Sequence, residues 1–371
     1  MGRGTAYAPE RRFFRDTRTG VEGVQLTSIP GIHIKLYFHV NAFTPDSRTL
    51  VFQSFSAMGR DAKVDLFKVN VDGLGLTQLT DAAEAGSPVV SPDGQWLYYM
   101  CQGELRRVSM TTYEEHSIGY IEGVRPSTGL SANTAGSTIN ASMSADGAVY
   151  FTDATLKSGR RAILRYTTDG KMASVIYESD DITHTQCEPS EAKVIAFQHR
   201  PDEKHRNIWL INEDGSNLRP LDLPYGNGHW MWLGQTKRII SNLEKRCNGI
   251  SVMGERDEKP ELLATGEHFW HAASSRDGEW IVSDTSWPDN GIQLIHTGTR
   301  KYKPLCYPES SNSHPQWSHP HPSFSPDASY VVYNSDRTGM AQMYIVRVPE
   351  ELKEELRNSG EVEHPYGKAN G

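Results

Sequence analysis

The segment Gln316-Trp317-Ser318-His319-Pro320-His321-Pro322 holds the densest group of metal-competent side chains in the chain. In an extended strand, residues two apart face the same way, so His319 and His321 would project together. Gln316 would reach back from the preceding turn. Two imidazoles and an amide oxygen are mixed nitrogen and oxygen donors of the kind that suits a borderline divalent ion. The prolines fit the mouth of an inner strand, where no ladder donor is needed. A third imidazole, His271, would complete a site of three histidines and one glutamine. His268, three residues earlier, is the competing ligand. Histidines clustered in this way can also line a polar channel and bond only to water, so the elements that would position them must be identified.

Those elements come from a repeat. Seven tetrapeptides recur: Thr44-Pro45-Asp46-Ser47, Ser91-Pro92-Asp93-Gly94, Ser144-Ala145-Asp146-Gly147, Glu188-Pro189-Ser190-Glu191, Leu233-Gly234-Gln235-Thr236, Ser275-Arg276-Asp277-Gly278 and Ser325-Pro326-Asp327-Ala328. Their third residues are spaced by 47, 53, 44, 45, 42 and 50. A period of that length with four short strands per unit predicts β-propeller blades. The position six residues before each third residue is Val40, Ser87, Asn140, His184, His229, His271 and His321. Radial repetition turns that position into a ring around the central axis, with an imidazole on four consecutive blades.

The fold class expected is therefore all-β, a single seven-bladed β-propeller over residues 1–348. Its blades begin near residues 37, 84, 137, 181, 226, 268 and 318. In the first blade Tyr37 to Phe43 reads as the inner strand. Asp72-Gly73, Asp169-Gly170 and Asp214-Gly215 are hairpin signals. The last blade lacks a fourth strand, and the stretch 22–27 near the N-terminus would supply it, closing the ring and removing a free edge. Residues 349–371 read as a charged tail with one short helix.

Composition narrows the function. The formal net charge of −8 over 371 residues argues against general nucleic-acid binding. No stretch approaches the roughly 20 apolar residues of a membrane helix, so no membrane partner is expected. The start lacks an apolar signal core. The four cysteines, Cys101, Cys187, Cys247 and Cys306, form no paired motif and read as reduced thiols of a cytoplasmic protein. His199, Arg200, His205 and Arg206 make a basic loop in an acidic chain, suited to a carboxylate or simply to solvent. Trp230 and Trp232 would offer aromatic surface to a sugar. Oligomeric state leaves no sequence trace.

The run from His319 to Asp327 with Gln316 before it resembles the oligogalacturonate lyases, as do Phe14-Arg15-Asp16 to Glu22 and Ile208 to Gly215. The similarity covers nearly the whole chain. It implies a seven-bladed, TolB-like propeller that holds a manganese-type ion through Gln316, His319, His321 and His271. It also implies a polysaccharide lyase that degrades short pectic oligosaccharides by β-elimination, with His229 as base. The family's arginine two residues before the tryptophan of the Trp-Leu-Ile-Asn run is Asn207 here, and arginine stands at Arg206, with Arg200 a second candidate. His184, His199, Arg200 and Asn140 are the expected substrate contacts. The chemistry is coherent: a cation and an arginine neutralise the uronate C6 carboxylate while a neutral histidine removes the C5 proton. Nitrogen-rich ligation admits manganese, iron, cobalt, nickel or zinc. The competing readings are a non-catalytic TolB-like or WD-like sugar- or protein-binding propeller and a lyase for a different uronide, such as one containing glucuronic acid. A prolyl-oligopeptidase-type peptidase is set aside, because no Gly-x-Ser-x-Gly elbow is present.

Overall fold

A computed structural model describes residues 2–55, 64–81, 85–125, 140–200, 207–221, 223, 227–243, 248–313 and 316–361. Arg206, expected to be catalytic, lies outside them, as do His205 and Cys247.

The described strands form seven antiparallel sheets, six of four strands and one of five. The sixth blade shows the pattern: Phe269–Ser274 innermost, then Trp280–Thr285, Ile292–His296 and Lys301–Cys306. Its tetrapeptide turn joins the first two strands, and Ser275 Oγ donates to Asp277 Oδ1 (2.5 Å) while accepting from Trp280 N–H (3.0 Å). The same clasp closes the turns at Ser91, Ser144 and Ser325. This explains why the motif repeats: a serine and an aspartate two residues apart satisfy the turn's own donors.

The ring closes as expected. Glu22–Gln25 pairs with Gln342–Arg347, with Val24 opposite Ile345. A fifth strand, Arg12–Arg15, covers its outer edge. The helix Glu350–Asn358 follows and buries Leu356. Between blades the core is aliphatic and aromatic, with Trp280, Tyr150 and Tyr333 fully covered, a burial worth about 1.5–3 kcal/mol for each large apolar side chain.

Two innermost strands differ from the sequence expectation, and both differences shape the centre. In the first blade the inner strand is Ile32–Lys35, paired with Phe52 to Phe55. The ladder resumes only at Phe43, which bridges Leu50. The intervening Tyr37-Phe38-His39 leaves the sheet in a turn closed by Val40 N–H donating to the Tyr37 carbonyl (2.9 Å). Its apolar character reads as strand in one dimension but is spent on the channel, not the ladder. In the seventh blade the inner strand is cut to Ser323–Phe324. Gln316–Ser318 is a turn of 3-10 helix and His321 has φ +46°. His319 and His321 therefore do not lie side by side on one extended strand; the prolines and the left-handed residue bring them together instead.

Candidate metal centre

Four innermost strands carry a register break at the repeated ring position. The pairing skips between Gly86 and Val89, Thr183 and Gln186, Asn227 and Trp230, and Phe269 and Ala272. Each break sets two inner-strand residues against one on the second strand, which is a β-bulge. Ser87, His184, His229 and His271 lie at these bulges, so their side chains are re-aimed out of the ladder. The bulged N–H groups need acceptors. His229 N–H donates to Asn242 Oδ1 and His271 N–H to Asp284 Oδ1, both at 2.7 Å.

The result is a closed circuit of polar rings. Centroid separations are 6.3 Å from His184 to His229, 4.3 Å from His229 to His271 and 4.1 Å from His271 to His321. They continue at 5.0 Å from His321 to Tyr37 and 5.9 Å from Tyr37 back to His184. Phe38 fills the middle, 5.7 Å from His271 and 6.1 Å from His229. A cavity of about 280 Å³ opens among the tetrapeptide turns and ends on Phe38 and His39. The metal-competent histidines are not in its lining, so Phe38 and His39 separate it from the ring.

His271, His319 and His321 are buried and offer ligand atoms that all lie within 4.8 Å of one another. The geometry favours His271 over His268 as the third donor. The Nδ1–H of His271 donates to Asp284 Oδ2 at 2.8 Å, which turns its Nε2 inward, whereas His268 is spent on the Ser286 carbonyl at 2.9 Å. The Nε2 atoms of His271 and His321 are buried without a hydrogen-bond partner. Buried polar atoms are rarely left so, and a cation fits them. Burial, reinforced by neighbouring imidazoles, holds His271, His321 and His229 well below the usual histidine range. Their lone pairs are thus available at neutral pH. The Gln316 main-chain carbonyl accepts His319 N–H at 3.1 Å, placing Gln316 one turn before His319.

Two charged residues in this centre were not expected from the sequence. Asp284 accepts hydrogen bonds from the His271 ring, the His271 N–H and the His321 N–H (3.2 Å), tying blades six and seven together. Burial pushes its carboxyl up to about 7, against the pull of those backbone donors. Lys35 is also buried; desolvation lowers it to about 7 against the attraction of Asp284. Its Nζ donates to the Leu36 carbonyl at 2.6 Å.

The expected substrate contacts divide. His184 stands in the ring, brought down to about 4 by burial. Asn140 is spent as a brace: it accepts from His39 Nε2–H (3.2 Å) and donates to Asp153 (2.9 Å). His199 is also committed elsewhere, bonded to Asp181 at 2.5 Å and packed on Trp209. Arg200 is exposed beside it, its N–H donating to Asp181. Trp230 and Trp232 are core residues, 0% and 5% exposed, not a sugar surface. The indole beside the cluster belongs to Trp270, 4.2 Å from His319 and 4.5 Å from His271.

Such a donor set predicts a selective thermal shift. Manganese, cobalt, nickel or zinc at 100 times the dissociation constant should stabilise the folded chain by about 2.7 kcal/mol. Magnesium, which prefers oxygen ligands, should leave the melting temperature unchanged. An equal shift with magnesium would contradict an imidazole site.

No family model matches the chain. Over 91% of its length it is 24% identical to a curated oligogalacturonide lyase of Pectobacterium atrosepticum, covering 96% of that protein. Over 95% of its length it is 24% identical to the oligogalacturonate lyase of Dickeya dadantii, covering 100% of it. A solved oligogalacturonate lyase in complex with manganese superposes with a TM-score of 0.81 at 20% identity, over 95% of this chain and 100% of that one. The oligogalacturonate lyase of Vibrio parahaemolyticus gives 0.79 at 21% identity, over 94% and 100%. The chain thus resembles the family that the Gln-x-x-His-x-His segment suggested, along nearly all of its length, and the seven-bladed fold is shared.

Proposed function

We propose that this chain, given its end-to-end resemblance to the oligogalacturonate lyases, is a metal-dependent lyase that cleaves short uronic-acid oligosaccharides by β-elimination. The observation that carries the proposal is the buried triad His271, His319 and His321, oriented by Asp284 and lying 4.3 Å, ring to ring, from a further neutral imidazole, His229. Manganese is the favoured ion because one of the structural relatives was solved with it.

The triad, with Gln316, would hold the ion. When bound, it supplies positive charge to the uronate C6 carboxylate and so acidifies the proton at C5. His229 is held neutral by burial and takes that proton; its main-chain N–H is pinned to Asn242, fixing the ring. Electrons from the C5–H bond form the C4–C5 double bond, and the C4–O bond breaks; its electron pair goes to the leaving sugar's oxygen, which takes up a proton from solvent as the sugar departs. Phe38 closes the floor and excludes water. His184 and Tyr37 lie on the ring's other side and would contact the rest of the substrate. Arg206 or Arg200 would add charge to a carboxylate. The acidic oligosaccharide fits a protein in which the cationic centre is local and the overall charge is −8. A cytoplasmic setting for pectin breakdown fits Cys187 and Cys306 being buried thiols. Among the described residues no helix is long and apolar enough to cross a membrane.

Product mass tests the reaction class. Digalacturonate and trigalacturonate, alongside glucuronate-containing oligomers, are incubated with metal-loaded protein. Elimination gives one saturated and one unsaturated fragment whose masses sum to the substrate. Products that have gained water would indicate a hydrolase, and no product from any uronide would leave a non-catalytic binding propeller as the better reading.

A further inference from the structure

Trp287 is a large apolar side chain held in water. It is 71% exposed, at the hairpin between Trp280–Thr285 and Ile292–His296 of the sixth blade. Its backbone sits at φ +46°, a left-handed conformation that a bulky residue adopts only when its surroundings impose it. The hairpin is braced on both sides of the tryptophan. Ser286 N–H donates to the His268 carbonyl (3.3 Å), and the His268 ring returns a bond to the Ser286 carbonyl. On the other side Asn290 donates to Thr285 Oγ1 (2.8 Å) and to Glu267 Oε2 (2.6 Å). These bonds hold the hairpin backbone that presents the exposed indole.

The exposed ring is also continuous with the histidine centre. Trp287 lies 5.5 Å from Trp270 with the planes inclined at 45°, and Trp270 lies 4.2 Å from His319 at 44°. Two indoles thus step outward from the metal-competent triad to the solvent-exposed hairpin. Indole faces are electron-rich and apolar. The C–H face of a pyranose ring is their natural complement, and it needs no charge where the acidic sugar keeps its carboxylate in solvent.

We propose that Trp270 and Trp287 form a stacking platform for a further sugar unit of the oligosaccharide, beyond the two that flank the cleaved bond. The inference rests on the lyase reading and adds a preference for chain length. Trp270 borders the reacting unit, and Trp287 takes the ring of the next unit out. The platform recognises the pyranose face and is indifferent to the carboxylate.

The test compares Trp287→Ala and Trp287→Phe with the unaltered protein on saturated di-, tri- and tetragalacturonate. Trp287→Ala should leave digalacturonate kinetics within about twofold. It should raise KM for the longer oligomers about tenfold with kcat retained, the size expected of one aromatic contact. Trp287→Phe should recover most of the loss. Unchanged KM on every oligomer, or an equal loss on all three, would overturn the platform. Should the unaltered protein turn over no uronide, the lyase reading fails, and binding still judges the platform. Trigalacturonate and tetragalacturonate are titrated against tryptophan emission. A shift present in the unaltered chain and absent from Trp287→Ala supports it, and no shift overturns it.

Discussion

Replacing His229 with alanine should lower kcat by about 10²–10⁴-fold, the usual contribution of a positioned general base, and leave metal affinity within about twofold. Among the described residues the ring contact of His229 with the triad is to His271, and its N–H bond to Asn242 belongs to the backbone, which alanine keeps. The loss is therefore in proton abstraction and not in assembly of the site. The pH profile carries a second signature. Burial, reinforced by His271, lowers the His229 pKa well below the ordinary 6.5, and a bound cation would push the same way. A base with a lowered pKa stays deprotonated as pH falls through 6.5, so the acid limb of kcat/KM should lie below that value. Full activity in His229→Ala, with metal bound, would remove the histidine from the mechanism.

Asp284→Asn should weaken metal binding by about 10–100-fold, as loss of a carboxylate behind a ligating imidazole typically does. The wild-type carboxylate accepts three N–H donors, two of them from His271 and one from His321. An asparagine has one acceptor oxygen and must turn its NH₂ towards at least one of those donors. The His271 ring loses its orientation or the bulge N–H loses its partner, at a further cost in stability of about 1–3 kcal/mol. Calorimetric titration with manganese and a melting curve of the metal-free protein measure the two effects separately. Wild-type affinity in Asp284→Asn would mean that the triad is oriented by something other than this carboxylate.

Much of this centre was readable from the repeat. Counting six residues back from each tetrapeptide found His184, His229, His271 and His321, all in the observed ring, because a propeller maps equal sequence offsets onto equal radial positions. The same counting forward would have found the clamps. Asp153, Asn242, Asp284 and Asn334 each stand seven residues after the third tetrapeptide residue, on the second strand of their blades. Asn242 and Asp284 accept the bulged N–H groups directly, while Asn334 accepts Lys35 N–H (2.9 Å) and donates to the His319 carbonyl (3.3 Å).

What stayed hidden had no periodic signature. Tyr37 to Phe43 has the composition of a buried strand, and only the pairing of Ile32–Lys35 with the second strand shows that Tyr37, Phe38 and His39 are expelled into the channel. His199 and Asn140 had the right chemistry for substrate, yet Asp181 and Asp153 claim them; such pairings depend on side chains from separate strands. Trp230 and Trp232 lie beside a catalytic candidate in sequence but are core, whereas Trp270 on an inner strand and Trp287 on a hairpin meet beside the histidine centre.

The most direct measurement is near-ultraviolet absorbance of trigalacturonate mixed with protein that has been stripped by chelator and then reloaded with manganese. Elimination leaves a C4–C5 double bond conjugated to the carboxylate, which absorbs where the substrate does not. The stripped protein should give no rise, the reloaded protein a steady rise, and His271→Ala little rise at the same manganese concentration. A rise that persists without metal, or none from a protein shown to hold manganese on any uronide offered, would contradict metal-dependent elimination.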